Sequence, residues 1–496
     1  MARGAEQDPA ATRAPRLASL SWLASMDAAE LAFSGIARQA ELVRAGEVSS
    51  RELVELYLER IERLDPRLNS FRTVMADSAL DEADRADSGR AAGQELPLLG
   101  VPVAIKDSTD VAGEVTTHGT ATFDEPATED SEMVKRLKGA GAVVLGKTNL
   151  PEFAIFGFTE SMSWGATRNP WDPHRTPGGS SGGSGAAVAA GLVGGASASD
   201  GAGSIRIPAT NCGLFGLKPQ RGRISLAPDR EHWHGMSVNG CLTRNVLDTA
   251  LYLDVTAGSA PGDAHTPPPP ARSFVEFARS SPGRLRIAWS SKAPRLIAFP
   301  TRLAESNRAA LEDMARTLES LGHEVRERAP DYGSVGNGVS ALYLSGIRDE
   351  MRKAPHPERL EARTRGFARL GAAYAGPRTR RARRSIAKHA ERVNRLFDDH
   401  DVFVTLVSPV PPVEVGRWEG RSTLRTLLGM SSVYPYPGTW NYLGNPAASV
   451  PAGFTDDGLP LSVQLVGRPN DEGTLLSLAA QLEAERPWAD HRPPIS

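Results

Sequence analysis

The chain has 496 residues, 40% of them hydrophobic, so it can bury a sizeable core in one large domain or in two to three smaller ones. Its 57 basic and 59 acidic residues nearly cancel, which argues against nucleic acid or an anionic membrane as the partner of the whole chain. A small neutral molecule is the expected partner. Cys212 and Cys241 are too few for a disulfide framework and lack the spacing of a zinc site. We expect a cytoplasmic protein in which residues 1–25 form a flexible segment, because no signal-peptide core or membrane-length apolar stretch occurs.

Two amphipathic helices are predicted near the start of the chain. Asp27 and Ser49 each stand three positions before a glutamate, which is the pattern of a capping box at the beginning of a helix. The first helix is predicted to end near Gly46. The second is predicted to stop at Asp65-Pro66, because the residue before a proline is disfavoured in helical geometry.

Short apolar runs then alternate with helical segments. The run at 98–105 is rich in β-branched residues and predicts a buried strand whose C-terminal end carries Lys106. A helix is predicted at 132–139 and a second buried strand at 142–145. This alternation favours an α/β fold.

The rest of the chain divides by composition. Residues 178–204 are rich in glycine, serine and alanine, which allows backbones to approach closely. A proline-rich bridge at 260–271 precedes a predicted strand at 285–289. Residues 344–400 are charged and helical in pattern, and strand-like sequence returns at 402–407 and 461–466.

Several local motifs match known sites in letters but lack the required context. Residues 141–148 fit the phosphate-binding loop pattern, yet the intervening Ala-Val-Val-Leu is itself strand-forming. Residues 178–182 fit G-x-S-x-G, but no apolar strand precedes them as a nucleophile elbow requires. The S-x-x-K match at 385–388 lies in a solvated basic helix. His232 and His234 have no third ligand placed by spacing, so we expect no metal site.

Taken together, the remaining motifs resemble those of the amidase-signature family, which includes fatty acid amide hydrolases, peptide amidases, malonamidases and the glutaminase subunit of tRNA-dependent amidotransferases. The resemblance spans nearly the whole chain and is weakest at 330–440. It is carried by GVPVAIKD at 100–107, GKTNLPEF at 146–153, NPW at 169–171, the Gly-Ser tract at 178–206, GLFGLKP at 213–219 and GNPAASVPAG at 444–453. It implies one α/β domain at 26–496 with a central mixed β-sheet surrounded by helices, and a divergent helical segment on the substrate side at 330–440.

The resemblance also implies the catalytic residues. Lys106 matches the family's catalytic lysine, Ser180 matches the serine that follows an unusual cis peptide bond, and Ser204 matches the nucleophile. The 24 positions between Ser180 and Ser204 are the family's spacing, which selects Ser180 for the triad and leaves Ser181 as a supporting hydrogen-bonding residue. Asp200 and Arg206 match supporting positions, and we interpret them as a structural ion pair.

The chemistry of such a triad follows from the pKa values of serine and lysine side chains. A serine hydroxyl needs a base, and lysine can serve only if its pKa falls from about 10.4 toward neutrality. Ser180 would relay the proton from Ser204 to a neutral Lys106. We expect a short helix to begin at Ser204 and the amides of Gly201, Ala202, Gly203 and Ser204 to stabilise the oxyanion. Ala202 departs from the family's usual glycine, and its methyl group is expected to narrow the pocket or fix the loop.

The predicted activity is hydrolysis of C–N bonds in small amides, anilides or carbamates through an acyl-enzyme, without metal or organic cofactor and with esters as a further substrate class. The family resemblance leaves a second function open, the glutaminase subunit of a tRNA-dependent amidotransferase, which would require partner subunits. A catalytically silent scaffold is a third, disfavoured because all three triad positions are occupied. The sequence does not decide between a monomer and a homodimer.

Overall fold

A computed structural model describes residues 27–295 and 302–496 of the chain. The segment at 1–25, predicted to be flexible, lies outside the described residues. In the described part the strands are β1 (Phe71–Val74), β2 (Pro102–Lys106), β3 (Val143–Thr148), β4 (Glu160–Ser161), β5 (Gly165–Ala166), β6 (Gly195–Asp200), β7 (Gly216–Lys218), β8 (Val238–Thr243), β9 (Arg286–Trp289), β10 (Glu324–Glu327), β11 (Val402–Thr405), β12 (Ala447–Phe454) and β13 (Pro460–Gly467).

The α-helices surround these strands. Those of the first half are α1 (Ala28–Phe33), α2 (Gly35–Ala45), α3 (Ser50–Leu68), α4 (Ala76–Ala91), α5 (Glu132–Gly139), α6 (Gly182–Ala189), α7 (Arg206–Cys212), α8 (Val246–Thr256) and α9 (Phe274–Ala278). Those of the second half are α10 (Glu305–Ser320), α11 (Val335–Met351), α12 (Ala362–Ala372), α13 (Pro377–Asn394), α14 (Leu396–Asp399), α15 (Thr423–Val433), α16 (Gly438–Leu443) and α17 (Glu472–Glu485).

Two large sheets meet at the centre of the molecule. One has the order β1-β3-β2-β6-β8, and the other has the order β10-β9-β11-β13-β12-β7. A bridge between Phe215 and Thr243 joins them, since each backbone amide donates to the other residue's carbonyl at 3.1 and 3.3 Å. Parallel and antiparallel pairs occur in both halves. The predicted α/β fold with a central mixed sheet surrounded by helices is therefore confirmed, with the sheet built from two halves.

The N-terminal helices differ from the prediction in their ends. The first is divided at Ser34 into α1 and α2, and the left-handed Gly46 ends α2 as expected. The capping box at Ser49 is present, but α3 continues through Pro66 to Leu68. The predicted stop at Asp65-Pro66 was therefore wrong. Asp65 is still part of the helix, and its carboxylate accepts from the amides of Ser70 and Phe71 just beyond the helix end.

Strand β2 lies in the middle of the five-stranded sheet, and its first four residues are apolar. All five of its residues are buried, and it pairs in parallel with β3 on one side and with β6 on the other. Parallel strands buried on both faces need such continuous apolar sequence. Lys106 is the last residue of β2, so its side chain lies at the carboxyl end of parallel strands, where open α/β sheets bind ligands.

The Gly/Ser/Ala tract packs against the sheet with almost no side-chain volume. Every residue of α6 is buried. A Cβ atom on Gly183 would lie 2.4 Å from the amide nitrogen of Asn149 and 2.5 Å from the carbonyl oxygen of Ser70, both of them backbone atoms. Neither can move aside, so glycine is required for this close approach.

The charged segment at 344–400 folds as helices, as predicted. It contains the end of α11 together with α12, α13 and α14, and the strand β11 follows it within the main sheet. Aromatic side chains from this region and from α16 form an apolar cluster with the loop at 153–158. In the ranges that the structure describes, no helix is long and apolar enough to cross a membrane.

Candidate active site

Three predicted residues converge at the carboxyl ends of β2 and β6. Lys106 Nζ lies 2.8 Å from Ser180 Oγ, and both side chains are fully buried. Ser180 precedes α6 and follows a cis peptide bond with Gly179, as the resemblance implied. Ser204 lies in the loop between β6 and α7 and is 8% exposed. Ser204 is thus the most exposed of the three side chains.

The electrostatic state of Lys106 suits a base. Burial lowers its pKa to about 7, although the negative charge of Asp200 opposes the shift. A charged ammonium is disfavoured where the side chain is fully buried. A large share of the lysine is therefore neutral near pH 7 and can accept a proton.

Sequence reasoning missed Ser199, which also contacts the lysine. Its Oγ lies 2.9 Å from Lys106 Nζ, while Ser197 Oγ accepts from the backbone amide of Lys106 at 2.7 Å. Both serines belong to β6, two positions apart, and therefore face the same side of the sheet. This alternation, next to a strand that ends in lysine, is the signal from which they could have been found.

Ser181 and Ser180 have different roles in the structure. Ser181 Oγ donates to the carbonyl oxygen of Ser199 at 3.3 Å and accepts from the amide of Ser199 at 3.4 Å. These bonds tie the start of α6 to β6, so Ser181 supports the site without contacting Lys106.

Asp200 and Arg206 form a buried, two-pronged ion pair. Arg206 Nη2 donates to Asp200 Oδ1 at 2.9 Å and Nε donates to Oδ2 at 3.0 Å, with both side chains fully buried. Although burial opposes ionisation, the charges of Arg206 and Lys218 hold the pKa of Asp200 well below its usual range. Asn441 completes the arrangement by donating to Asp200 Oδ1 at 2.8 Å. The pair fixes the two ends of the loop that carries Ser204.

The predicted start of the helix at Ser204 was wrong, because α7 begins at Arg206. The Asp200 carboxylate explains the shift, since it accepts from the amides of Gly203 at 2.6 Å and Ile205 at 3.1 Å and so holds the loop outside helical geometry. The prediction for Gly203 also needs correction. Its amide is bonded to Asp200, which leaves Gly201, Ala202 and Ser204 as candidate oxyanion donors.

Two cavities meet at Ser204. The first, here called the polar chamber, has an empty volume of about 800 Å³ and includes Ser180, Ser199 and Gly201 in its wall. The second, the apolar chamber, has about 970 Å³ and is lined by side chains from the loop at 154–157, α11 and α15. Ser204, Ala154 and Trp233 line both chambers. A substrate that reaches Ser204 can therefore extend in two chemically different directions.

Ser180 and Ser204 lie near each other without a hydrogen bond between them. In the described residues no hydrogen bond joins Ser180 to Ser204, although both side chains line the polar chamber. Catalytic hydrogen bonds are often long without substrate and shorten when substrate binds. The contact between Lys106 and Ser180 is thus present in the structure, and a contact between Ser180 and Ser204 is a prediction for the substrate complex.

The two histidines at 232 and 234 lie beside carboxylates. His232 lies 2.8 Å from Asp229 and 3.4 Å from Glu350, and these carboxylates raise its pKa to about 9 although burial opposes the shift. His234 Nε2 lies 3.5 Å from an Asp349 carboxylate oxygen. Within the described ranges, no three or more histidine, cysteine and acidic side chains group as ligands for a metal ion.

The other rejected motifs also have structural roles. Gly146, Lys147 and Thr148 are residues of β3, and Lys147 forms a buried ion pair with Asp107 at 2.9 Å. The phosphate-loop match therefore lies in a strand. Ser385 Oγ donates to the carbonyl oxygen of Arg381 within α13, as a solvated helical serine does.

The buried ion pair gives a stability prediction. Replacing Arg206 with methionine would leave the Asp200 carboxylate buried without its partner, and we expect the free energy of unfolding to fall by about 3–5 kcal/mol. Arg38→Met removes an exposed pair with Glu41 and should cost less than about 1 kcal/mol. Urea unfolding of both variants measures the difference. Equal losses in the two would show that the Asp200 pair does not hold the loop.

Comparison with known proteins agrees with this architecture. The family model described as Amidase matches residues 52–476. A Mycobacterium tuberculosis protein named "Putative amidase AmiB2" is 50% identical over 472 residues, which cover 95% of this chain and 100% of that protein. The 6-aminohexanoate-cyclic-dimer hydrolase of Paenarthrobacter ureafaciens is 34% identical over 485 residues, 92% of this chain and 96% of the hydrolase.

The solved structures point the same way. The structure of 6-aminohexanoate cyclic dimer hydrolase complexed with substrate has a TM-score of 0.84 and 31% identity, and the match covers 94% of this chain and 99% of that one. A bacterial aryl acylamidase of the amidase signature enzymes has a TM-score of 0.80 at 24% identity, a likeness of fold alone. The chain belongs to the amidase-signature family. It is a hydrolase that acts on amides.

Proposed function

We propose that Ser204 is the nucleophile of a stand-alone amidase that cleaves small amides, anilides or carbamates through an acyl-enzyme. The observation that carries this proposal is the contact of 2.8 Å between Ser180 Oγ and a lysine whose pKa is lowered to about 7. A base of this acidity is matched to the proton that a serine hydroxyl must lose near neutral pH.

The proposed acylation proceeds by proton relay. Ser204 Oγ attacks the carbonyl carbon while its proton passes to Ser180 Oγ, and Ser180 gives its own proton to Lys106 Nζ. The negative oxygen of the tetrahedral intermediate is stabilised by backbone amides of Gly201, Ala202 and Ser204. Collapse of the intermediate breaks the C–N bond, and the departing nitrogen takes back a proton through Ser180.

Deacylation repeats the relay with water. Water loses a proton to Ser180 as it attacks the acyl carbon, Lys106 receives a proton from Ser180, and the release of Ser204 returns the proton to its oxygen. The chain's own groups therefore account for every proton transferred. We assign the choice of substrate to the polar and apolar chambers, which receive the two parts of the substrate on either side of the cleaved bond.

A panel of substrates tests the proposed function. The purified chain alone should cleave a p-nitroanilide, and an amide, a carbamate and an ester that share its acyl or amine group define the preferred bond. Glutaminase activity that needs added partner subunits, with no cleavage of the panel by the chain alone, would favour the amidotransferase subunit instead.

A further inference from the structure

The position of Ser180 orients the substrate across the two chambers. This step depends on the proposed function, in which Ser180 returns a proton to the departing nitrogen. Ser180 is among the lining residues of the polar chamber and not of the apolar chamber, whereas Ser204 lines both. The amine therefore leaves through the polar chamber, and the acyl group occupies the apolar chamber.

The apolar chamber borders a third cavity, here called the basic groove, which lies along α13. Ser340 of α11 and Tyr374, which follows α12, line both spaces. Arg378 stands at this border, with its guanidinium carbon 5.7 Å from the centre of the Tyr374 ring. An acyl chain that fills the apolar chamber and extends past Tyr374 would enter the basic groove.

The basic groove has an excess of positive charge. Among its described lining residues, the five cationic side chains outnumber the two carboxylates, which gives a formal balance of +3 when histidine is neutral. The cations are Arg378, Arg381, Lys388, Arg392 and Arg395, and the carboxylates are Asp331 and Glu391. Arg392 pairs with Asp331 at 2.7 Å, so that acid is already neutralised.

The positive charge of the groove affects the pKa of His389, which lies within it. Burial, together with the positive charges of Lys388 and Arg392, lowers the pKa of His389 below its usual value. Its Nδ1 lies 3.0 Å from Tyr442 Oη, and its Nε2 lies 3.3 Å from Ser334 Oγ. The neutral form leaves the groove's charge to the arginines and the lysine.

We propose that the preferred acyl group is an apolar chain with an anionic group at its far end. The chain fills the apolar chamber, the anion lies among the cations of the basic groove, and the amine departs through the polar chamber. The carboxylate of a dicarboxylic acid monoamide has this chemistry.

Two matched series of p-nitroanilides test the proposal. One carries straight alkanoyl groups and the other carries dicarboxylic monoacyl groups of equal carbon number, with their methyl esters as neutral controls. At chain lengths that reach the groove, we expect the carboxylates to be preferred about tenfold in kcat/KM, since several exposed ion pairs each contribute modestly. The preference should fall in high salt because these charges are screened.

Variants on α13 test whether the preference for carboxylate substrates comes from the basic groove. In the double variant Arg381→Gln with Lys388→Gln, the ratio of carboxylate to neutral cleavage should fall to about one. Arg384→Gln removes a charge from an exposed position of the same helix and should keep the ratio. Equal cleavage of both series at every length, or an equal loss in Arg384→Gln, would overturn the inference alone. Cleavage of neither series would overturn the proposed function with it.

Discussion

Replacing Ser204 with alanine is expected to lower kcat on a cleavable anilide by about 10³-fold to 10⁶-fold, the range found when serine hydrolases lose a catalytic residue. The variant keeps the buried network around Asp200, so its unfolding curve should match that of the unchanged chain. A fluorophosphonate probe should label the unchanged chain at Ser204 and leave the variant unlabelled, which intact mass and peptide mapping measure.

Ser181 provides the matched control. It is buried next to Ser180 and bonds the backbone of Ser199, but it does not contact Lys106. Ser181→Ala should still be labelled by the probe at Ser204. Equal labelling of the unchanged chain and Ser204→Ala would show that another residue is the nucleophile.

Removing the amine of Lys106 is expected to have the second largest effect. Lys106→Ala should lower kcat by several orders of magnitude, because within the described ranges Lys106 Nζ is the basic group that Ser180 Oγ contacts. The lysine is 0% exposed, so the alanine variant also leaves an empty volume. Lys106→Met keeps most of that volume and should lose activity equally, as steady-state rates would measure.

The methionine variant separates chemistry from packing. If Lys106→Met folds with an unchanged unfolding curve and is inactive, the missing group is the base. If it retains the turnover of the unchanged chain, lysine has no part in the mechanism and the relay is wrong.

The local sequence pattern predicted the strands that position parts of the site, whereas the triad residues themselves were assigned by the family resemblance. The apolar run before Lys106 predicted a buried strand, and its parallel partners place the lysine at the carboxyl end of the sheet. Strand-forming residues inside the phosphate-loop match predicted a strand at 142–145, and β3 occupies Val143–Thr148. Such features depend on neighbours within a few positions.

Features that depend on distant partners were missed. Asn441 and Gln464 reach Arg206 from 235 and 258 positions away, and nothing near either residue indicates this. The hydrogen bond from the Gly203 amide to Asp200 was missed for a related reason, because it forms only when the Asp200 carboxylate is fully buried and needs donors. Local propensity favoured a helix at Ser204, and this polar network overrode it.

The two chambers could not be predicted from the sequence either. The division of the space around Ser204 into a polar and an apolar chamber comes from the packing of Trp233, α11 and α15 around the loop at 154–157. Ala202 is one of the residues that line the apolar chamber.

The pH dependence of kcat/KM on a neutral anilide tests the central claim, that neutral Lys106 activates Ser204, most directly. Because the reactive lysine is uncharged and its pKa is lowered to about 7, kcat/KM should fall below pH 7 and level off above it. The slope of the acidic limb should be about tenfold per pH unit. A rate that stays constant from pH 5 to pH 9, or that rises only near the ordinary pKa of lysine, would contradict the account.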